Sequence, residues 1–226
     1  MSLRLKNNIL VSIYQYLDES SKNKGRAPEE RYTSFDYCYN YFYSFYKEGK
    51  INQLSSDKNI QTSCLQLGFY LASWGMFRGS TFLLQKSSRH FRKLIITISR
   101  MSPELWEIDV DKYNVDNLNI LLICRRQISH ELGDRDNTPS DTLITKIMLG
   151  VFGNVPAFDQ NVKKCFKIYR VDKNSLSKIR RFYEENKQTF DDIKIPTLDF
   201  ITGKETSIYY PKAKLIDMYG FINGQA

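Results

Sequence analysis

"GVFGNVPAFDQNVKK", residues 150–164, joins the end of one helix to the start of the next. Before it, Leu143, Ile147 and Val151 recur at four-residue steps, which predicts a helix closing at Phe152-Gly153. A short connection with one proline, Pro156, follows. Asp159 then stands ahead of Lys163, Lys164 and Lys167. An aspartate in that place is a good N-cap, because its side-chain oxygen accepts a first-turn amide. An aspartate among lysines equally suits a catalytic carboxylate held against a polyanion. Fold and function both turn on which of the two it is.

Working outward, most segments read as helices. Leu5, Ile9, Ile13 and Tyr16 or Leu17 mark one helical face over 4–17. "ESSKNKGRAPEER" is polar and loop-like. Residues 31–47 are crowded with aromatics, and Phe35, Tyr39, Phe42 and Tyr46 fit a helix. Tyrosines there can stack on bases, but more often they line a core. Residues 60–77 read as a central buried helix, in which Gly68, Ala72 and Gly75 would allow close neighbours. One or two basic helices follow over 81–100. A helix near 115–131, a loop "ELGDRDNTPSD", and helices from Asp159 to about Arg170 and from Ser175 to about Asn186 complete the middle. The tail "IKIPTLDFITGKETSIYYP" suggests a short hairpin before a last helix ending near Gly220. The fold class is therefore mainly α.

With 226 residues, 42% of them hydrophobic and 14% aromatic, the chain can bury a large core. Its formal charge is +8, which favours an acidic partner. The distribution is more telling than the sum. No acid occurs between Asp57 and Glu104, a span holding Arg89, Arg92 and Lys93, and Lys163, Lys164, Lys167 and Arg170 form a second acid-poor cluster. Two such clusters point to a face that grips phosphates.

Cys38, Cys64, Cys124 and Cys165 are dispersed, and only His90 and His130 are present. Free thiols in a reducing, cytoplasmic setting are expected, with no metal and no cofactor. No run is long enough to span a bilayer, so no membrane partner is expected, and a monomer is favoured. "TGKET" at 202–206 lacks the earlier glycine of a phosphate loop.

Residues 142–166, "TLITKIMLGVFGNVPAFDQNVKKCF", resemble the helix-hairpin-helix DNA glycosylase superfamily, the endonuclease III-like group. There an apolar helix ends in Phe-Gly, a proline-containing loop follows, and an aspartate opens a basic helix. Asp159 with Gln160, Asn161 and Val162 stands where that family has Asp-Thr-His-Val. The resemblance implies a fold of that type: one two-lobed helical domain over 1–226, with lobes near 1–110 and 111–226. It also implies a DNA partner, with base flipping and excision in repair or in defence against foreign DNA. Asp159 would be the carboxylate that stabilises the sugar cation, kept ionised by its helix N-terminus. Asn154, Gln160, Asn161 and the lysines would contact DNA, together with Arg89, Arg92 and Lys93. Trp74, Phe77 and Tyr70 are candidates for the base pocket. Where bifunctional members carry a Schiff-base lysine this chain has Thr142, and Lys146 lies one turn further on, so a monofunctional, water-using enzyme is implied. The family's hairpin glycines are absent from "DRDNTPSD". The competing expectations are a non-catalytic helical nucleic-acid-binding protein, in which Asp159 only caps, and a protein–protein adaptor.

Overall fold

The structure, a computed structural model, describes residues 3–18, 25–79 and 81–225, with side chains from Asn8 onward. The side chain of Leu5, residues 19–24 of the first loop and Ser80 lie outside the described residues. The chain is mainly helical: α1 (Leu3–Leu17), α2 (Ser34–Lys47), α3 (Ile60–Ser73), α4 (Arg92–Ile98), α5 (Val115–Leu132), α6 (Asp141–Phe152), α7 (Gln160–Phe166), α8 (Lys173–Glu185), α9 (Lys187–Asp192) and α10 (Lys212–Asn223). Between α9 and α10, β1 (Pro196–Leu198) and β2 (Glu205–Tyr209) form an antiparallel pair.

The apolar stretch before Asp159 becomes the centre of the molecule. Every residue of α6 from Leu143 to Phe152 is buried, and α2, α3 and α5 pack around it. Ser140 caps its start by accepting the Leu143 amide. Gly153 ends it at φ 69°, the left-handed conformation that glycine adopts without a Cβ clash. A Cβ at Gly150 would lie 2.4 Å from the Tyr70 ring, so glycine lets α3 approach α6 closely.

The chain ends meet. α1 packs on α10, and α10 packs on α7. The hairpin is anchored to α2 by Asp36, which is fully buried. Its carboxylate pairs with Arg26 at 2.9 Å and accepts the Leu198 amide and the Tyr210 hydroxyl. Such complete satisfaction offsets the cost of burying a charge.

Several helix boundaries differ from the sequence expectation. The aromatic run is helical as read, with Phe35, Cys38, Tyr39 and Phe42 inward. The helix expected over 60–77 stops at Ser73, because Gly75 turns the chain at φ 76°, and it is not buried throughout: Leu65 and Phe69 are exposed, and α6 takes the central place instead. Residues 81–100 form two short 3-10 turns and the seven-residue α4. The helix after Asp159 ends at Phe166, where Lys167 adopts φ 51°. Periodicity carries no information about a left-handed stop at a lysine.

Candidate active site at Asp159

Asp159 is the N-cap of α7. Its Oδ1 accepts the Val162 amide at 3.0 Å, which is the capping bond its position predicts. Its other oxygen does something else: Oδ2 lies 3.8 Å from Lys146 Nζ. Lys146, one turn into α6, has a side chain only 5% exposed, whereas the Asp159 side chain is 18% exposed. The carboxylate thus sits at a surface opening with a buried ammonium beneath it.

Burial pushes the Asp159 carboxyl above the usual carboxylate range, with Lys146 opposing the shift and Asp217 adding to it. The helix terminus therefore does not dominate, which corrects the expectation of a carboxylate simply held ionised by α7. Burial likewise lowers Lys146 from the ordinary lysine value, against the pull of Asp159 and Asp217. Paired groups pushed off their ordinary values in a cleft are common where proton transfer occurs.

The loop that delivers Asp159 is held by three side chains. Thr142 Oγ1 donates to the Phe158 carbonyl at 2.7 Å, and Thr145 Oγ1 accepts the Phe158 amide at 2.7 Å. Asp217 Oδ1, on α10, accepts the Ala157 amide at 3.0 Å. Asp217 is itself paired with Lys214 at 3.1 Å, and Lys214 Nζ also donates to the Tyr16 hydroxyl at 2.9 Å.

Both buried lysines face the indole of Trp74, at 4.9 Å for Lys146 and 5.3 Å for Lys214. The Arg31 guanidinium lies 5.4 Å from the same ring and 5.0 Å from Tyr32. Tyr32 stacks on Trp74 at 5.3 Å and on Tyr16 at 4.4 Å. Phe221 stands edge-on to Trp74 at 6.1 Å. Three cations and two carboxylates, Asp159 and Asp217, thus surround one aromatic stack.

Of the residues singled out by sequence, Asp159 and Trp74 both meet Lys146, while Gln160, next in the chain after Asp159, joins the lysines in a separate cavity. Gln160, Lys163, Lys164 and Lys167 line a shallow cavity of about 520 Å3 with Thr142 and Tyr169. Asn161 is half-buried beside the α10 terminus, its carbonyl against Gly224. Arg89, Arg92 and Lys93 are exposed around the start of α4. Their stretch reaches the α5–α6 connection, where Lys86 pairs with Asp134 at 3.0 Å and His90 contacts the Leu132 carbonyl at 3.2 Å.

Three assignments need correction. Asn154 cannot touch DNA: it is fully buried, its amide donates to the Leu105 carbonyl, and its own carbonyl accepts the Tyr113 hydroxyl. Tyr70 is 2% exposed and packs on α6 at Gly150, so it offers a base almost no surface, although it borders the groove between α3 and the hairpin tip. Phe77 packs on Phe91 at 6.2 Å and belongs with that part of the core. Sequence reading also missed Arg31, Tyr32, Lys214 and Asp217. The one available signal was the pair of lysines at 146 and 214 within apolar helical runs, where a charge is costly unless it has a purpose.

No family model, curated protein or solved structure matches the chain. No helix among the described residues is long and apolar enough to cross a membrane.

Proposed function

We propose that this chain is a monofunctional DNA glycosylase that hydrolyses the N-glycosidic bond of a flipped, damaged or modified base. The observation carrying this reading is the second oxygen of Asp159. Oδ1 makes the capping bond to the Val162 amide, while Oδ2 lies 3.8 Å from Lys146 Nζ at a partly open surface, next in the chain to Gln160 of the lysine-lined cavity. A helix cap needs no buried ammonium beneath it.

In this mechanism Lys163, Lys164 and Lys167 hold phosphates and position the strand. Extruding the base costs a few kcal/mol and brings C1′ over Asp159. As the C1′–N bond breaks, its electron pair leaves with the base and positive charge develops on the sugar. The carboxylate stabilises that cation and takes a proton from the water whose oxygen bonds to C1′. Lys146 sets how readily Asp159 ionises, and Trp74 offers a face for the base. Repair or defence against foreign DNA is the corresponding role.

Asp159→Asn tests the proposal. Asparagine retains the bond to Val162 but carries no charge. The variant should remain folded, since about 1 kcal/mol shifts Tm by about 2–4 °C in a chain this size. DNA binding should persist while base release, read as alkali-labile sites across a panel of modified duplexes, falls by orders of magnitude. Undiminished release by the folded variant would leave Asp159 as a cap in an enzyme of another mechanism, and release by neither protein would leave it as a cap in a non-catalytic DNA-binding protein.

The proximity of Lys146 favours one further reading, in which its amine attacks C1′ directly. Borohydride should trap no protein–DNA adduct if water is the nucleophile. An adduct that vanishes in Lys146→Met would assign the lysine that role instead.

A further inference from the structure

A second concavity, of about 770 Å3, opens between α3 and the tip of the β1–β2 hairpin. Its volume falls in the range of small-molecule sites, about 300–1,000 Å3. One wall is the outer face of α3, where Phe69 is 71% exposed; the other is the hairpin tip, where Phe200 is 72% exposed. Large aromatic rings left in water on both sides of a groove are costly unless something planar or apolar covers them.

The groove is preformed. The Tyr37 hydroxyl donates to the Pro28 carbonyl at 2.7 Å, and the Tyr37 ring meets Phe200 edge-on at 5.0 Å. Gly203, at φ 65°, lies so close to Pro28 that a Cβ would approach within 3.1 Å. The hairpin tip is therefore fixed against the segment before α2.

Two features indicate what the groove receives. Ser34, 5% exposed and lining it, has a buried Oγ without a hydrogen-bond partner. A buried hydroxyl left unpaired is unfavourable and calls for a polar atom on the occupant. Arg31 also lines the groove, and its guanidinium covers the Tyr32–Trp74 stack against which Lys146 rests. Arg31 thus borders both the groove and the aromatic stack, whose Trp74 ring meets the Lys146 that pairs with Asp159. Glu29 and Glu30 in its wall disfavour phosphate, so the backbone would stay outside.

We propose that this groove receives an unpaired nucleobase adjoining the nucleotide held at Asp159, stacked against Phe69 and Phe200 with an edge atom hydrogen-bonded to Ser34. The proposal rests on the reading of Asp159 as a DNA site, and it adds that the bound strand is unpaired beyond the target. Stacking of this kind is tolerant of base identity.

The test uses Asp159→Asn protein, so that no turnover intervenes, and a short single-stranded oligodeoxynucleotide carrying 2-aminopurine. Binding should quench the fluorescence through stacking. Phe69→Ala/Phe200→Ala, which truncates two exposed rings and spares the core, should abolish the quench. It should also weaken single-strand binding about tenfold or more, leaving binding to a fully paired duplex unchanged. Ser34→Ala should weaken it less. Single-strand affinity unaltered by the double replacement overturns the proposal and leaves the groove to an apolar peptide. Equal loss for single strand and duplex overturns it too, since the groove would not be a site for unpaired bases. Absence of binding to any DNA at low salt would overturn the DNA reading itself, whereas intact duplex binding with a groove-independent single strand overturns this inference alone.

Discussion

At the scale of single residues, the decisive contact is that between Lys146 and Asp159. Each shifts the other: the ammonium lowers the carboxyl, which burial has raised, and the carboxylate raises the amine, which burial has lowered. Lys146→Met removes the opposing charge and leaves the desolvation. The Asp159 carboxyl should then titrate at still higher pH. If ionised Asp159 is the working form, the acid limb of the kcat/KM profile for base release should move to higher pH in the variant. A limb unmoved by the replacement would show that it reports some other group. Sequence spacing made Lys146 look misplaced, because it was judged against a position at the helix start. Distance through space between α6 and the α7 cap is what brings it into play.

Among the elements, α7 is short and carries the basic cluster. Lys163 and Lys164 lie on it, and Lys167 follows in a left-handed turn. The three still share one cavity with Thr142 and Gln160, so the early end of the helix does not disperse them. Replacing all three with alanine should weaken duplex binding about uniformly across sequences. Each lost phosphate contact should reduce the slope of log affinity against log salt by ~0.9. A slope equal to wild type, measured by anisotropy across a salt series, would mean that α7 does not meet the backbone. The Phe-Gly helix end was legible because only glycine takes φ 69° without cost. The stop at Lys167 was not, because a non-glycine left-handed residue depends on its neighbours.

For the molecule as a whole, α10 is the element that closes the structure onto the site. Lys214 on α10 reaches Tyr16 on α1, and its partner Asp217 holds the Ala157 amide two residues before Asp159. Lys214 is 1% exposed. Lys214→Met would leave Asp217 buried without its counter-charge, a change that typically costs about 3–5 kcal/mol. A denaturant melt should show that loss, together with a fall in any activity requiring an ordered Asp159 loop. A variant as stable as wild type would mean that Asp217 stays satisfied by the Ala157 amide and the nearby Lys146.

The sequence by itself determined the helical class, the helix α6 and its glycine stop, the tail hairpin and the capping position of Asp159. These depend on local preferences: four-residue apolar steps, a glycine that tolerates positive φ, and a side chain able to accept a first-turn amide. That α6, and not the 60–77 helix, is the buried one was decided by packing. Tertiary structure alone decided what surrounds Asp159. Lys146, Trp74, Arg31, Lys214 and Asp217 come from α6, the end of α3, the turn before α2, and α10. No periodicity links them. The same holds for Asn154, which looked like a loop residue free to meet DNA and is instead bonded inside the core. Burying a charge or an amide is favourable only when distant parts of the chain supply its partners, and those partners are chosen by packing, not by sequence separation.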